Sequence, residues 1–203
     1  SPGFINMIGW GVTSLITDGR GLSDITQGIT LEVFGEGNSM GPLSPNMKTE
    51  FPKYWDEIQP QWTSLGEYLE FLETKGVAPN VASFIGATTP RIHVLGQDDV
   101  DPTPEQLQQM QELVREAMRE GAVGVASSLI YTPASFAETA ELIALAKAAA
   151  EYDGIYASHL RNEGKQIFSA LDELITIARE AKIPAEIYHI KIAHPPSWGR
   201  FDE

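Results

Sequence analysis

Two histidines, His159 and His189, each close a short apolar run: Ile155-Tyr156-Ala157-Ser158-His159 and Ala185-Glu186-Ile187-Tyr188-His189. The stretch 164–182 between them has the apolar spacing of an amphipathic helix. Strand, helix, strand at this spacing is one βα unit, whose strands are parallel neighbours. Adjacent strands lie about 4.8 Å apart, so both imidazoles can reach one metal ion at the carboxyl ends of the strands. βα arrays place their chemistry at that end. By strand alternation Ile155, Ala157 and His159 share a face, as do Ile187, His189 and Lys191. Neutral imidazoles ligate zinc well and need a third ligand, usually a carboxylate in such a set. Glu36 in Val33-Phe34-Gly35-Glu36-Gly37 is the candidate, because flanking glycines let the backbone bend and aim the side chain. Alternation puts Glu32 on the same face as Glu36 unless Gly35 interrupts the strand. The plainer alternative for either histidine is an imidazole satisfied by backbone hydrogen bonds.

Three further residues have chemistry suited to a substrate. Lys191 could bind a carboxylate, form a Schiff base, or be a solvated strand-end lysine. Arg161, two residues after His159, could hold the carboxylate of a ligand or of a neighbouring side chain. Tyr131 follows the fourth strand and could donate its hydroxyl to a polarised carbonyl, or simply pack. His93 and His194 read as structural or surface residues. The chain has neither a Gly-x-Ser-x-Gly elbow nor a P-loop.

Positioning these groups falls to a repeated strand–helix alternation. Strands are expected at 4–8, 30–35, 81–85, 124–127, 155–159 and 185–190. Most are short and apolar on both faces, as in a buried parallel sheet. Helices are expected at 64–75, from an N-cap at Thr103 to about 120, at 136–152 and at 164–182. The stretch 35–62, with several Pro, Gly and aromatic residues, is the least regular, and long loops in βα folds are commonly functional. The class is α/β. Six βα steps favour a (β/α)8 TIM-like barrel, here incomplete at about three-quarters, over a doubly wound sheet. No Gly-x-Gly-x-x-Gly turn follows the first strand.

The chain of 203 residues is expected to form one domain, 1–203. With no cysteine, it has neither disulfides nor thiolate ligands, so any metal takes nitrogen and oxygen donors. A formal charge of −14 argues against nucleic acid and anionic membranes as partners. No apolar run approaches the roughly 20 residues needed to span a bilayer, and no signal-peptide pattern is present, so the cytoplasm is the expected location. Both ends look cut.

Pro2-Gly3-Phe4-Ile5, Gln27-Gly28-Ile29-Thr30, the stretch 124–137, Tyr156-Ala157-Ser158-His159-Leu160-Arg161-Asn162-Glu163-Gly164 and Tyr188-His189-Ile190-Lys191 occur in this order. Together they resemble the N-acyl-D-amino-acid deacylases (D-aminoacylases) of the amidohydrolase superfamily, over nearly the whole chain. The resemblance implies a metal-dependent (β/α)8 barrel with a small β-sandwich, hydrolysing the amide of an N-acyl-D-amino acid. It implies that His159 and His189 hold the tight zinc, that Tyr131 lies near the substrate and that Lys191 meets its carboxylate. Many family members have a cysteine as third ligand; Glu36 stands in that region here. The family's Asp-x-His-x-His is replaced by Asn6-Met7-Ile8-Gly9-Trp10, which implies a single Zn²⁺, the second position being lost. The general-base aspartate falls beyond Glu203, as do the last βα units, so the fragment alone is expected to be inactive. The expected activity is linear-amide hydrolysis on a small-molecule substrate, with Tyr131 at the oxyanion. The alternatives are a Schiff-base aldolase or lyase using Lys191, and a non-catalytic ligand-binding barrel relative. The sequence leaves the oligomeric state open.

Overall fold

The computed structural model describes residues 2–55 and 58–200. Among these residues seven short strands run parallel: β1 (Phe4–Asn6), β2 (Ile29–Phe34), β3 (Asn80–Ser83), β4 (Ile85–Gly86), β5 (Gly124–Ser128), β6 (Ile155–His159) and β7 (Ala185–Ile187). They pair as β1-β2-β3 and β4-β5-β6-β7. The two sets meet in one segment. Phe84, between β3 and β4, donates its N–H to Phe34 O at 2.9 Å, and Val123 N donates to Ser83 O at 3.0 Å. The third expected strand is therefore present but bent, pairing first with β2 and then with β5. The result is the α/β arrangement of a partial barrel, its six strand positions in sequence order.

Among the described residues, eight α-helices lie between the strands: α1 (Ser14–Thr17), α2 (Leu22–Ile25), α3 (Pro45–Tyr54), α4 (Leu65–Lys75), α5 (Thr88–Leu95), α6 (Pro104–Arg119), α7 (Thr139–Ala150) and α8 (Ile167–Ala181). Capping sets where the clearest of them start. In α4 the Ser64 side chain accepts from Glu67 N while Glu67 accepts from Ser64 N; Thr103 and Gln106 do the same for α6. The irregular stretch after β2 holds a helix of its own, α3. Its N-cap Ser44 accepts from Met47 N, with Pro45 in the first turn. The expected helix at 136–152 begins later, because a 3₁₀ turn at Ala134–Phe136 precedes α7.

Side-chain alternation sorts the core into two layers. Val33, Phe84, Ala126, Ala157 and Tyr188 form a small cluster on one sheet face. Phe34, Ile85, Val125 and Tyr156 join the helices in a much larger cluster on the other. Among the described residues no helix is long and apolar enough to cross a membrane.

Two ionisable features inside this core have measurable consequences. Arg91 and Glu141 form a salt bridge of 2.5 Å with side chains only 1% and 3% exposed, and Arg91 also donates to Val100 O. Replacing either partner alone strands a buried charge, so Glu141→Ala should lose about 3–5 kcal/mol in denaturant unfolding. Glu32, 1% exposed, has an Oε1 without a hydrogen bond among the described residues. Burial pushes its carboxyl above the usual carboxylate range. A raised carboxyl adds stability while protonated and loses that contribution as pH rises through its folded pKa. The thermal midpoint of Glu32→Gln should therefore gain on wild type as pH rises from about 4 to about 7.

Candidate metal centre

Three strand ends supply the site. His159 is the last residue of β6, opposite Ser128 of β5, and follows Ala157 onto the small-cluster face, as alternation predicts. His189 arrives differently. β7 ends at Ile187; Tyr188 N still donates to Ser158 O at 2.9 Å; then His189 turns with φ of 36°. A left-handed residue breaks the alternation, so the expected shared face of Ile187, His189 and Lys191 does not carry the placement; the turn does. Gly35 resolves the conflict between Glu32 and Glu36. Its φ is 98°, and a Cβ there would stand 2.3 Å from Phe84 O, so only glycine fits where β2 presses on the bent strand. The kink separates the two acids: Glu32 is buried against Gly9 and Gly11, and Glu36 is freed toward the histidines.

The three expected ligands converge. Glu36, His159 and His189 each offer one donor atom, all within 4.8 Å of one another. Glu36 Oε1 lies 3.2 Å from His159 Nδ1 and 3.4 Å from His189 Nε2. The two rings meet edge to face with centroids 4.4 Å apart. Bonds of about 2.0–2.1 Å to a tetrahedral zinc put two donors roughly 3.3–3.4 Å apart, so both measured edges suit that ion. His159 is 6% exposed, whereas the His189 side chain is 32% exposed and leaves the site open on its side.

The neighbours complete the environment. Trp10 Nε1 donates to Glu36 Oε2 at 3.0 Å, and its ring stacks on Trp55. This contact was not evident in the sequence, where Trp10 only closes the segment Asn6-Met7-Ile8-Gly9-Trp10. Glu163 is the second residue that sequence reasoning missed. Its Oε1 lies 3.4 Å from His159 Nε2, 3.2 Å from His189 Nδ1 and 2.5 Å from Lys191 Nζ. No periodic pattern announced it, since residues 160–166 form neither strand nor α-helix. Tyr131 is 60% exposed, with its ring edge to face on His159 at 5.3 Å. Burial beside Glu36 pushes the Tyr188 hydroxyl up, so it stays neutral beneath the site.

Arg161 is turned to another task. Its guanidinium binds Glu173 through Nε and Nη2 at 2.8 and 2.9 Å, Ser135 O at 2.8 Å and Ala137 O at 2.7 Å. These contacts are the neighbouring-side-chain role that the sequence allowed for it. The remaining histidines lie outside the cluster: His93 Nδ1 is 3.4 Å from Pro42 O, and His194 Nδ1 is 2.8 Å from Ser197 Oγ.

A cavity of about 340 Å³ opens on this cluster, lined by Trp10, Glu36, Asn38, Ser128, Tyr131 and Thr132 among others. Asn38 and Thr132 also line an adjoining cavity of about 700 Å³, whose walls include Leu43, Met47, Phe51 and Trp55. The strand ends thus meet a recess of small-molecule dimensions.

No protein-family model matches the chain. Individual relatives do. D-aminoacylase of Alcaligenes xylosoxydans xylosoxydans is 32% identical across the whole chain, which spans 42% of that protein. N-acyl-D-aspartate deacylase and N-acyl-D-glutamate deacylase of the same organism are 32% and 30% identical, over 100% and 98% of the chain, and the chain spans 41% of each. Among solved structures, crystalline D-aminoacylase, described as defining a novel subset of amidohydrolases, superposes with a TM-score of 0.85. That match has 31% identity and covers 98% of this chain and 43% of that one. N-acyl-D-glutamate deacylase of Bordetella bronchiseptica, solved with zinc and a phosphonate mimic of the tetrahedral intermediate, gives 0.83 at 29% identity, covering 98% and 42%. The chain thus spans about two-fifths of the relatives it matches, and along that stretch it is one of the D-aminoacylase relatives within the amidohydrolases.

Proposed function

We propose that this chain carries the metal-binding part of a hydrolase that removes the acyl group from N-acyl-D-amino acids, using one Zn²⁺ held by Glu36, His159 and His189. The observation that carries the reading is the pair of donor separations, 3.2 and 3.4 Å, between Glu36 Oε1 and the two imidazoles. Two nitrogen donors and one carboxylate leave a fourth position open, the pattern of catalytic rather than structural zinc. Bound by these three side chains, the ion would supply Lewis-acid chemistry toward an amide carbonyl and toward water.

The chain's own groups do the rest. Tyr131, exposed at the cavity wall and against His159, donates its hydroxyl to the oxygen that gains charge as the amide is attacked. Lys191, whose side chain is 51% exposed, presents its ammonium to the substrate carboxylate while Glu163 fixes its position. The proton acceptor is an aspartate that the resemblance puts beyond residue 203, in the part that closes the eight-stranded barrel of the intact protein. Trp10 supports a single-ion centre: its N–H engages the Glu36 oxygen that does not face the histidines, and the Asn6–Trp10 segment offers no imidazole. An intracellular enzyme acting on a small N-acylated amino acid is the setting this reading favours. The lysine contacts disfavour Schiff-base chemistry, because an ammonium held by a carboxylate is not the free amine that attacks a carbonyl.

Metal analysis after dialysis should find one zinc per wild-type chain and none in His159→Ala/His189→Ala. Equal near-zero zinc in both would remove the metal reading. Trp10→Phe should keep the stoichiometry while weakening zinc affinity about ten-fold, as loss of an outer-shell contact does, read by chelator competition. The intact protein should release free amino acid from N-acetyl-D-amino acids; failure to turn over any N-acyl-D-amino acid while zinc is bound would favour a ligand-binding relative.

A further inference from the structure

Each imidazole of the centre is bracketed by carboxylates on its two opposite nitrogens. Glu36 lies against His159 Nδ1 and His189 Nε2; Glu163 lies against His159 Nε2 and His189 Nδ1. One oxygen, Glu163 Oε1, serves both rings and Lys191 Nζ. His159 Nε2 is buried and has no hydrogen bond among the described residues, so this carboxylate at 3.4 Å is a ready acceptor for it. We propose that Glu163 is a positioning residue that sets the tautomers of both metal-ligating histidines and ties Lys191 to them.

Both carboxylates could accept from the rings, Glu36 from His159 Nδ1 at 3.2 Å. With Glu36 as a fellow ligand, the nitrogens beside it must instead offer lone pairs to the ion, which leaves the protons to the nitrogens that face Glu163. A neutral imidazole carries one proton. Placing it on Nε2 of His159 and Nδ1 of His189 leaves the lone pairs on Nδ1 and Nε2, the two atoms beside Glu36. Lys191 Nζ is 3.0 Å from His189 Nδ1 and competes for that nitrogen as a donor. Glu163 Oε1 already accepts from the ammonium and lies 3.2 Å from His189 Nδ1, so with zinc bound it would take the ring N–H as well and resolve the competition.

The backbone is built to hold Glu163 there. Asn162 Oδ1 accepts from Gly164 N at 2.8 Å and Gln166 N at 3.1 Å, which fixes the turn. Glu163 O accepts from Ala193 N at 2.7 Å, tying the turn to the segment after Lys191. Two residues earlier, Arg161 is anchored on Glu173 and two carbonyls. The side chain is 11% exposed, shielded enough for its contacts to matter.

The inference rests on the single-zinc reading, and the test separates the two. Zinc affinity is measured by chelator competition for wild type, Glu163→Ala and the isosteric Glu163→Gln, and ring tautomers by ¹⁵N NMR of the zinc-free chains. Glu163→Ala should bind zinc roughly 10–100-fold more weakly, with Glu163→Gln in between, since its amide oxygen still accepts. The imidazole nitrogen shifts of both histidines should move away from the wild-type pattern of N–H on His159 Nε2 and His189 Nδ1. Wild-type zinc binding with unchanged affinity and tautomers in both variants would overturn the role of Glu163 alone, as would a loss confined to thermal stability. A wild-type chain without zinc affinity would overturn the metal reading and this inference together.

Discussion

Two imidazoles packed edge to face between two carboxylates are the arrangement on which this site depends. Glu36 and Glu163 both approach the same rings in a largely buried setting, where like charges repel strongly and desolvation is costly. Lys191 balances one of them. Glu36 and one nitrogen of each ring converge within 4.8 Å of one another, a donor set of the kind a divalent cation takes. Trp10 adds a neutral donor to Glu36, orienting the carboxylate without cancelling its charge.

The fold makes this cluster through local devices as much as through the sheet. Parallel pairing of β5, β6 and β7 sets the spacing of the strand ends, but the sheet alone would not bring the acids in. Gly35 kinks the chain after β2, allowing a close backbone approach that any side chain would block. The turn at His189 swings its ring out of the strand's alternation. The Arg161 and Asn162 contacts hold the turn that carries Glu163. Rigid strands bring the ligands near one another; the turns decide which atoms face inward.

Much of this was legible in the sequence. The two apolar runs ending in histidine, the helix between them and the glycines around Glu36 pointed to three residues that the structure brings together, because strand spacing and glycine flexibility are local rules. The alternation argument held for His159 and failed for His189, where a left-handed residue intervened. Arg161 looked equally suited to ligand or neighbour, and only tertiary packing engaged it with Glu173 and two carbonyls. Glu163 and Trp10 were invisible because their roles arise from irregular segments, where no period links residue type to direction. The helix α3 hid behind the Pro- and Gly-rich composition of its surroundings, though Ser44-Pro45 is a capping signal.

The central claim is that Glu36, His159 and His189 share one cation, and zinc-edge X-ray absorption on the zinc-loaded chain tests it most directly. The account predicts a four-coordinate first shell at about 2.0–2.1 Å with two histidine nitrogens and light oxygen donors. On Glu36→Ala the two imidazoles should remain while one oxygen donor is lost or exchanged for water. A first shell lacking imidazole, or one unchanged by Glu36→Ala and by His159→Ala, would contradict it.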